Sequence, residues 1–175
     1  RLQDLQNPEI NEEIASALEQ AGDMDASQLA KLEREFAKEL HLLTAKKRLR
    51  IVAKDFVRHY SDLWTSGKAM MVSYNKVTCV RMYEYVQEYW QQEIAALEKK
   101  ISKSTSQQEV QELNRKLKWM QETEMAVVVS QEQNEIQTFQ KWGLDITPHR
   151  LKMEKRELDK EFKDKDNKLR VVFVC

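Results

Sequence analysis

Three short apolar runs interrupt a chain that is otherwise helical in its period: Ala69 to Val72, Met125 to Val129 and Val171 to Cys175. None of them alternates with polar residues, which predicts strands covered on both faces, as in a parallel sheet; such strands need helical crossovers between them. The first run opens into Ser73, Tyr74 and Asn75, and Asn75 is placed to cap a helix that begins at Lys76. Strand, polar turn and helix follow again after the second run, where Ser130 to Gln133 reads as the cap of a helix carrying Ile136, Phe139 and Trp142.

The rest of the pattern is helical. Asn7-Pro8-Glu9 starts a helix whose stripe is Ile10, Ile14, Ala17, Leu18 and Ala21, and Asp25 to Gln28 opens a second with Leu29, Leu32, Phe36 and Leu40. Thr44 caps a third, whose Leu49, Val52, Phe56, Val57 and Tyr60 form a face broad enough to pack beside the strand at Ala69. From Val80 through Trp90 and Leu97 to Ile101 the apolar positions make a near-heptad seam of about seven turns, too long for a simple crossover. The seam breaks at Ser102 to Thr105 and resumes after a capping box at Ser106 to Glu109 with Val110, Leu113, Leu117 and Met120. This predicts an antiparallel helical hairpin over residues 88–121. Thr147-Pro148 starts a last helix with Leu151, Leu158 and Phe162 inward. The expected organisation is a helical linker over residues 1–44 and an α/β domain, a parallel sheet flanked by helices, over residues 45–175.

Composition narrows the function. With 29 basic and 29 acidic side chains the net charge is zero, so any contact with nucleic acid must be local. Three glycines and two prolines in 175 residues favour long helices over a β-sandwich. Two cysteines, Cys79 and Cys175, suggest reduced thiols, and no apolar run approaches the ~20 residues of a membrane span, so a cytoplasmic protein without membrane contact is expected. No phosphate-binding GxxxxGK[ST], DExx box, HExxH, CxxC or GxSxG is present. His41, His59 and His149 stand alone, and the acidic residues alternate with Lys and Arg at helix-surface spacing, so neither catalytic residues nor metal ligands are expected. The basic face of Lys46, Lys47, Arg48, Arg50 and Lys54 reads as solvated.

The stretch GKAMMVSYNKVTCVRMYEYV, Gly67 to Val86, resembles helicase motif IV as it occurs in the motor and restriction (R) subunit of type I restriction-modification enzymes. Leu32 to Tyr60 and the closing Leu158 to Cys175, which resembles the run into motif V, extend the likeness over Ile10 to Cys175. The resemblance implies part of the second RecA-like, P-loop NTPase-type helicase lobe, in a parent deoxyribonuclease that uses ATP and Mg²⁺ to translocate double-stranded DNA before cutting it. Methylation and specificity subunits would be its partners. The nucleotide loop, the nuclease domain and motif VI are missing, so the chain alone would be inactive and bind no cofactor. In that family the motif IV junction lies on the nucleic-acid side, which gives Ser73, Asn75 and Lys76 as contacts to the DNA backbone and Ser130, after the second strand, as a weaker one. The resemblance also implies that Val171 to Cys175 is an interior strand left with an open edge, through which the chain would self-associate or which partner contacts would bury. The alternative is a non-enzymatic α/β scaffold that presents the hairpin to a protein partner. The adjoining coding sequence would separate the two.

Overall fold

The computed structural model describes residues 42–175. The expected helices around Ile10 to Ala21 and Leu29 to Leu40 lie outside the described residues. The chain divides into two units, Arg1–Val52 and Ala53–Cys175, and the second holds the sheet and the candidate site.

Three parallel strands form one sheet among the described residues: β1 (Ala69–Val72), β2 (Glu124–Val128) and β3 (Leu169–Val174), in the order β1-β3-β2. All three fall on the apolar runs of the sequence, so the α/β class with a parallel sheet holds. Their coverage is unequal. In β3, Leu169, Val171 and Phe173 are fully buried, and in β2 Ala126 and Val127 are too. In β1, Met70 is 56% and Val72 73% exposed, so the first run is an edge strand with one open face, against the expectation of cover on both. The expected open edge of Val171 to Cys175 is also corrected: β3 is central, with Val171 in register with Ala69 on one side and with Met125 on the other. Both of its edges are used inside the chain, so it offers none for self-association.

Before the sheet runs α1 (Lys46–Asp62), and β1 leads into α2 (Lys76–Lys103). Asn75 caps α2 as its sequence predicts, its side-chain oxygen accepting from the Thr78 N–H at 2.8 Å. The first half of α2 covers one face of the sheet, with Val80 and Val86 fully buried and the Tyr83 ring edge-on to Phe173, centroids 5.6 Å apart. Its second half returns as α3 (Gln107–Glu122), which Ser106 caps by accepting from Glu109 N–H. The two make the expected antiparallel hairpin, with Trp90, Leu97, Leu113 and Met120 buried along its seam.

After β2 come three short helices, α4 (Glu135–Lys141), α5 (Thr147–Lys155) and α6 (Leu158–Lys163). Two sequence expectations change here. Ser130 to Gln133 does not cap α4; that position belongs to Asn134, which sits in the left-handed region at φ 60° and makes no side-chain cap bond. The last helix is split in two, because Arg156 adopts an extended backbone and its guanidinium binds Glu124 and Glu161. Leu151 is consequently 46% exposed, and His149 is buried in its place. On the far face of the sheet, Leu158, Met153 and Phe162 pack with Ala126 and Val172.

Candidate nucleic-acid interface at the carboxyl edge of the sheet

Parallel strands end together, and the turns that leave them gather at one edge. Here that edge comprises the β1–α2 turn (Ser73, Tyr74, Asn75), the β2–α4 segment (Val129 to Asn134) and the end of β3 between them. Ser73 prolongs the ladder by one bond, its N–H donating to Val174 O at 2.8 Å. The first turn of α2 contains no carboxylate, which leaves the positive end of that helix uncompensated by its own residues.

Of the residues predicted from sequence, Ser73, Asn75 and Lys76 are contiguous, and topology brings the Ser130 segment to them. Lys76 forms an ion pair with Glu132, two residues beyond Ser130, which spans the end of β3. Their states differ. Ser73 is half-buried and Ser130 exposed. The Asn75 oxygen is engaged in the cap, so its first role is to hold the start of α2 in place. Lys76 is largely covered, with a side chain 16% exposed, while Glu132 is 59% exposed. The carboxylate therefore lies on the solvent side of the cation, where an incoming phosphate would compete with it.

Behind the edge lies a clamp that sequence reasoning missed. Arg150 of α5 donates from Nε to Glu135 Oε1 at 2.8 Å and from Nη2 to Glu135 Oε2 at 2.7 Å, a bidentate pair whose side chains are 14% and 8% exposed. The same guanidinium donates to the carbonyls of Val129 and Ser130, and Lys152 donates to that of Met125 at 2.9 Å. These bonds hold the β2–α4 segment and supply donors to the outer edge of β2. The Arg150 hydrogen bonds hold the Glu135 carboxyl below the usual carboxylate range. Burial lowers His149, which Lys152 lowers further and Asp145 raises; its ring is edge-on to Tyr83 at 4.6 Å. At the end of β3 the Cys175 thiol is pushed up by burial, with Lys76 opposing. The only available sequence signal was the Asn134-Glu135 pair at a helix start, and nothing in it named Arg150 as partner.

A second recess, of about 390 Å³, lies on the hairpin over Trp90, Met120 and Ile94 and is rimmed by Gln87, Gln91, Gln121 and Glu98. It carries a carboxylate and no cation, so it does not suit phosphate. Among the described residues no group of His, Cys, Asp and Glu could hold a metal ion, and no helix is long and apolar enough to cross a membrane.

Comparison with known proteins gives one family match: the model of the rRNA biogenesis protein RRP36 matches residues 66–143, less than half of the chain. No curated protein and no solved structure matches. The match covers the stretch that carried the likeness to the type I restriction subunit and overturns that assignment. With it go the DNA translocase and nuclease readings, the ATP-driven parent enzyme and the methylation and specificity subunits as partners. The alternative protein-docking scaffold gains no support either. The reason for the error is physical: an apolar tetrapeptide, a polar turn and a capped helix form a βα junction that many unrelated folds share.

Proposed function

We propose that this chain takes part in ribosomal-RNA biogenesis as an RNA-contacting module, engaging the RNA backbone at the carboxyl edge of its sheet. The observation that carries the reading is the match of residues 66–143 to the rRNA biogenesis protein RRP36, a span that includes both turns of that edge. Ser73 and Ser130 offer hydroxyls from either side of β3, and Lys76 offers the charge. Asn75 contributes indirectly by fixing the first turn of α2, whose N–H groups point at the edge. The zero net charge of the chain suits a contact confined to one place. Such contacts position the RNA without reading its sequence. In this reading the protein works in a reducing compartment such as the cytoplasm, which fits two free thiols, Cys79 and Cys175. The finer fold reading, a partial RecA-like lobe, draws support from the all-parallel sheet with β3 inside, and the proposal does not depend on it.

The test is binding of a fluorescent rRNA-derived transcript, measured over a salt series. The wild-type chain should bind at low salt, and Lys76→Ala combined with Ser130→Ala should weaken binding and flatten the log K against log salt slope by about 1. Unchanged affinity and slope in the double variant would remove the edge from the interface, and an absence of binding at low salt would remove RNA contact altogether.

A further inference from the structure

One aromatic ring of the described residues stands outside the core. Tyr74 is 56% exposed and is the one aromatic among the exposed large hydrophobic residues of the described chain. Rings elsewhere are packed against partners: Trp90 and Trp119 pack with Tyr60, Arg81 lies over Trp142, and Lys68 over Phe162. Tyr74 stands between Ser73 and Asn75, in the middle of the edge described above. Exposed Met70, Val72 and Tyr74 alternate with half-buried Met71, Ser73 and Asn75. In the sheet register Val72 pairs with Val174, and Val174 with Val128, so one row of valines crosses all three strands beside the ring. Val72 is 73% and Val128 37% exposed.

An exposed ring beside an aliphatic row, with hydroxyls and a cation at its border, matches the needs of unpaired nucleotides, whose flat bases stack on aromatic faces while their phosphates seek donors. A duplex hides those faces and offers only its backbone. We propose that Tyr74 is a base-stacking residue and that the edge takes a single-stranded RNA segment, its bases against Tyr74 and the Val72 row and its phosphates toward Ser73 and Lys76. This rests on the RNA reading above and adds the strandedness of the ligand. The match of residues 66–143 to an rRNA biogenesis protein favours this occupant over a second copy of the chain.

The experiment uses a single-stranded oligoribonucleotide carrying 2-aminopurine, and the same strand in a duplex. Wild-type protein should prefer the single strand and quench the 2-aminopurine. Tyr74→Ala should weaken single-strand binding about tenfold, abolish the quench and leave duplex binding unchanged, and Tyr74→Phe should restore both. If Tyr74→Ala matches wild type on both ligands while the Lys76 and Ser130 variant still loses affinity, the stacking role is overturned and the edge stands. If neither ligand binds, both readings fall. Concentration-dependent self-association that Tyr74→Ala removes, with RNA binding intact, would give the face to a second copy and overturn the proposal.

Discussion

The two ends of the sheet are built from opposite chemistry. At the amino end, where the hairpin meets the strands, rings interlock: Tyr60 lies 6.0 Å from Trp90 and 5.5 Å from Trp119, and those two are 5.8 Å apart. Two of them are also tied by hydrogen bonds, Trp90 Nε1 donating to Met120 O at 3.1 Å and Tyr60 Oη to Gly67 O at 2.8 Å. Burial pushes the Tyr60 phenol up to about 12, so it stays a donor throughout the physiological range. Arg170, at the start of β3, lies over Trp119 and bonds to its carbonyl. The carboxyl end has one exposed ring, two exchangeable hydroxyls and ion pairs, one of them open to water. The difference separates two tasks. Apolar interlock at one end fixes the fold, and that rigidity allows the other end to keep polar groups whose partners can be exchanged.

The comparison breaks most visibly at Trp90. Truncation to Ala removes a side chain only 2% exposed together with its hydrogen bond to the Met120 carbonyl, which keeps the Thr123 N–H. A loss of about 3–5 kcal/mol is expected, read as a fall in the urea midpoint. If Trp90→Ala unfolds at nearly the wild-type midpoint, the aromatic end is not the structural anchor.

At the other end the greatest loss should come from Glu135→Ala, which leaves the covered guanidinium of Arg150 without its carboxylate. About 3 kcal/mol is expected, less than for Trp90 because Arg150 keeps the Val129 and Ser130 carbonyls. Hydrogen exchange should show the opening concentrated in the β2–α4 segment, with the hairpin amides unaffected. Equal loss of protection in both would mean that the two ends do not behave as separate regions.

Acid should act on the β2–α4 region through Glu135 of α4 and His149 of α5, whose folded pKa values are both depressed. His149 has a folded pKa below the ordinary imidazole value, so its contribution is present above about 6.5 and declines as the pH falls below that value. Glu135 has a folded pKa below the carboxylate range, so its contribution holds above about 4.3 and is lost on falling toward its folded pKa. Stability should therefore decline in two stages between pH 7 and pH 3. His149→Gln should flatten the first stage and Glu135→Gln the second. Urea midpoints at half-unit pH steps check this, and a single stage insensitive to His149→Gln would refute it.

What the sequence showed and what it hid divide along the same line. The strands, the hairpin and its break near Ser104 were legible because each is encoded by neighbours: an apolar run, a heptad seam, a capping box within four residues. Coverage was not legible, because AMMV reads the same on an edge as in the interior, and only the order β1-β3-β2 makes it an edge. That both edges of β3 are paired within the chain was hidden for the same reason. The site was half legible. Ser73, Asn75 and Lys76 follow a strand and announce a turn, but Glu132 is 56 residues from Lys76 and Arg150 is 15 from Glu135, and nothing local pairs them. Tyr74 was placed in the polar turn after the first strand, but the exposure of its ring was not legible, since burial depends on the fold and not on the residue type.

The smallest expected change in stability belongs to the residue with the largest expected change in binding. Lys76 and Glu132 form an ion pair whose acidic partner is well exposed, so its net worth to the fold is about 0.5 kcal/mol. Lys76→Ala and Glu132→Gln should both unfold within that margin of wild type. Their effects on RNA should have opposite signs. Lys76→Ala removes the charge a phosphate would meet, whereas Glu132→Gln removes the anion that a phosphate must displace and spares the cation. Affinity for an rRNA-derived transcript should fall in the first and rise in the second, and both differences should shrink as salt screens the site. The paired measurement distinguishes an exchangeable ion pair from a structural one. If Glu132→Gln lowers RNA affinity along with Lys76→Ala, the pair serves to hold the β2–α4 segment in place, and the carboxyl edge belongs with the aromatic end as structure.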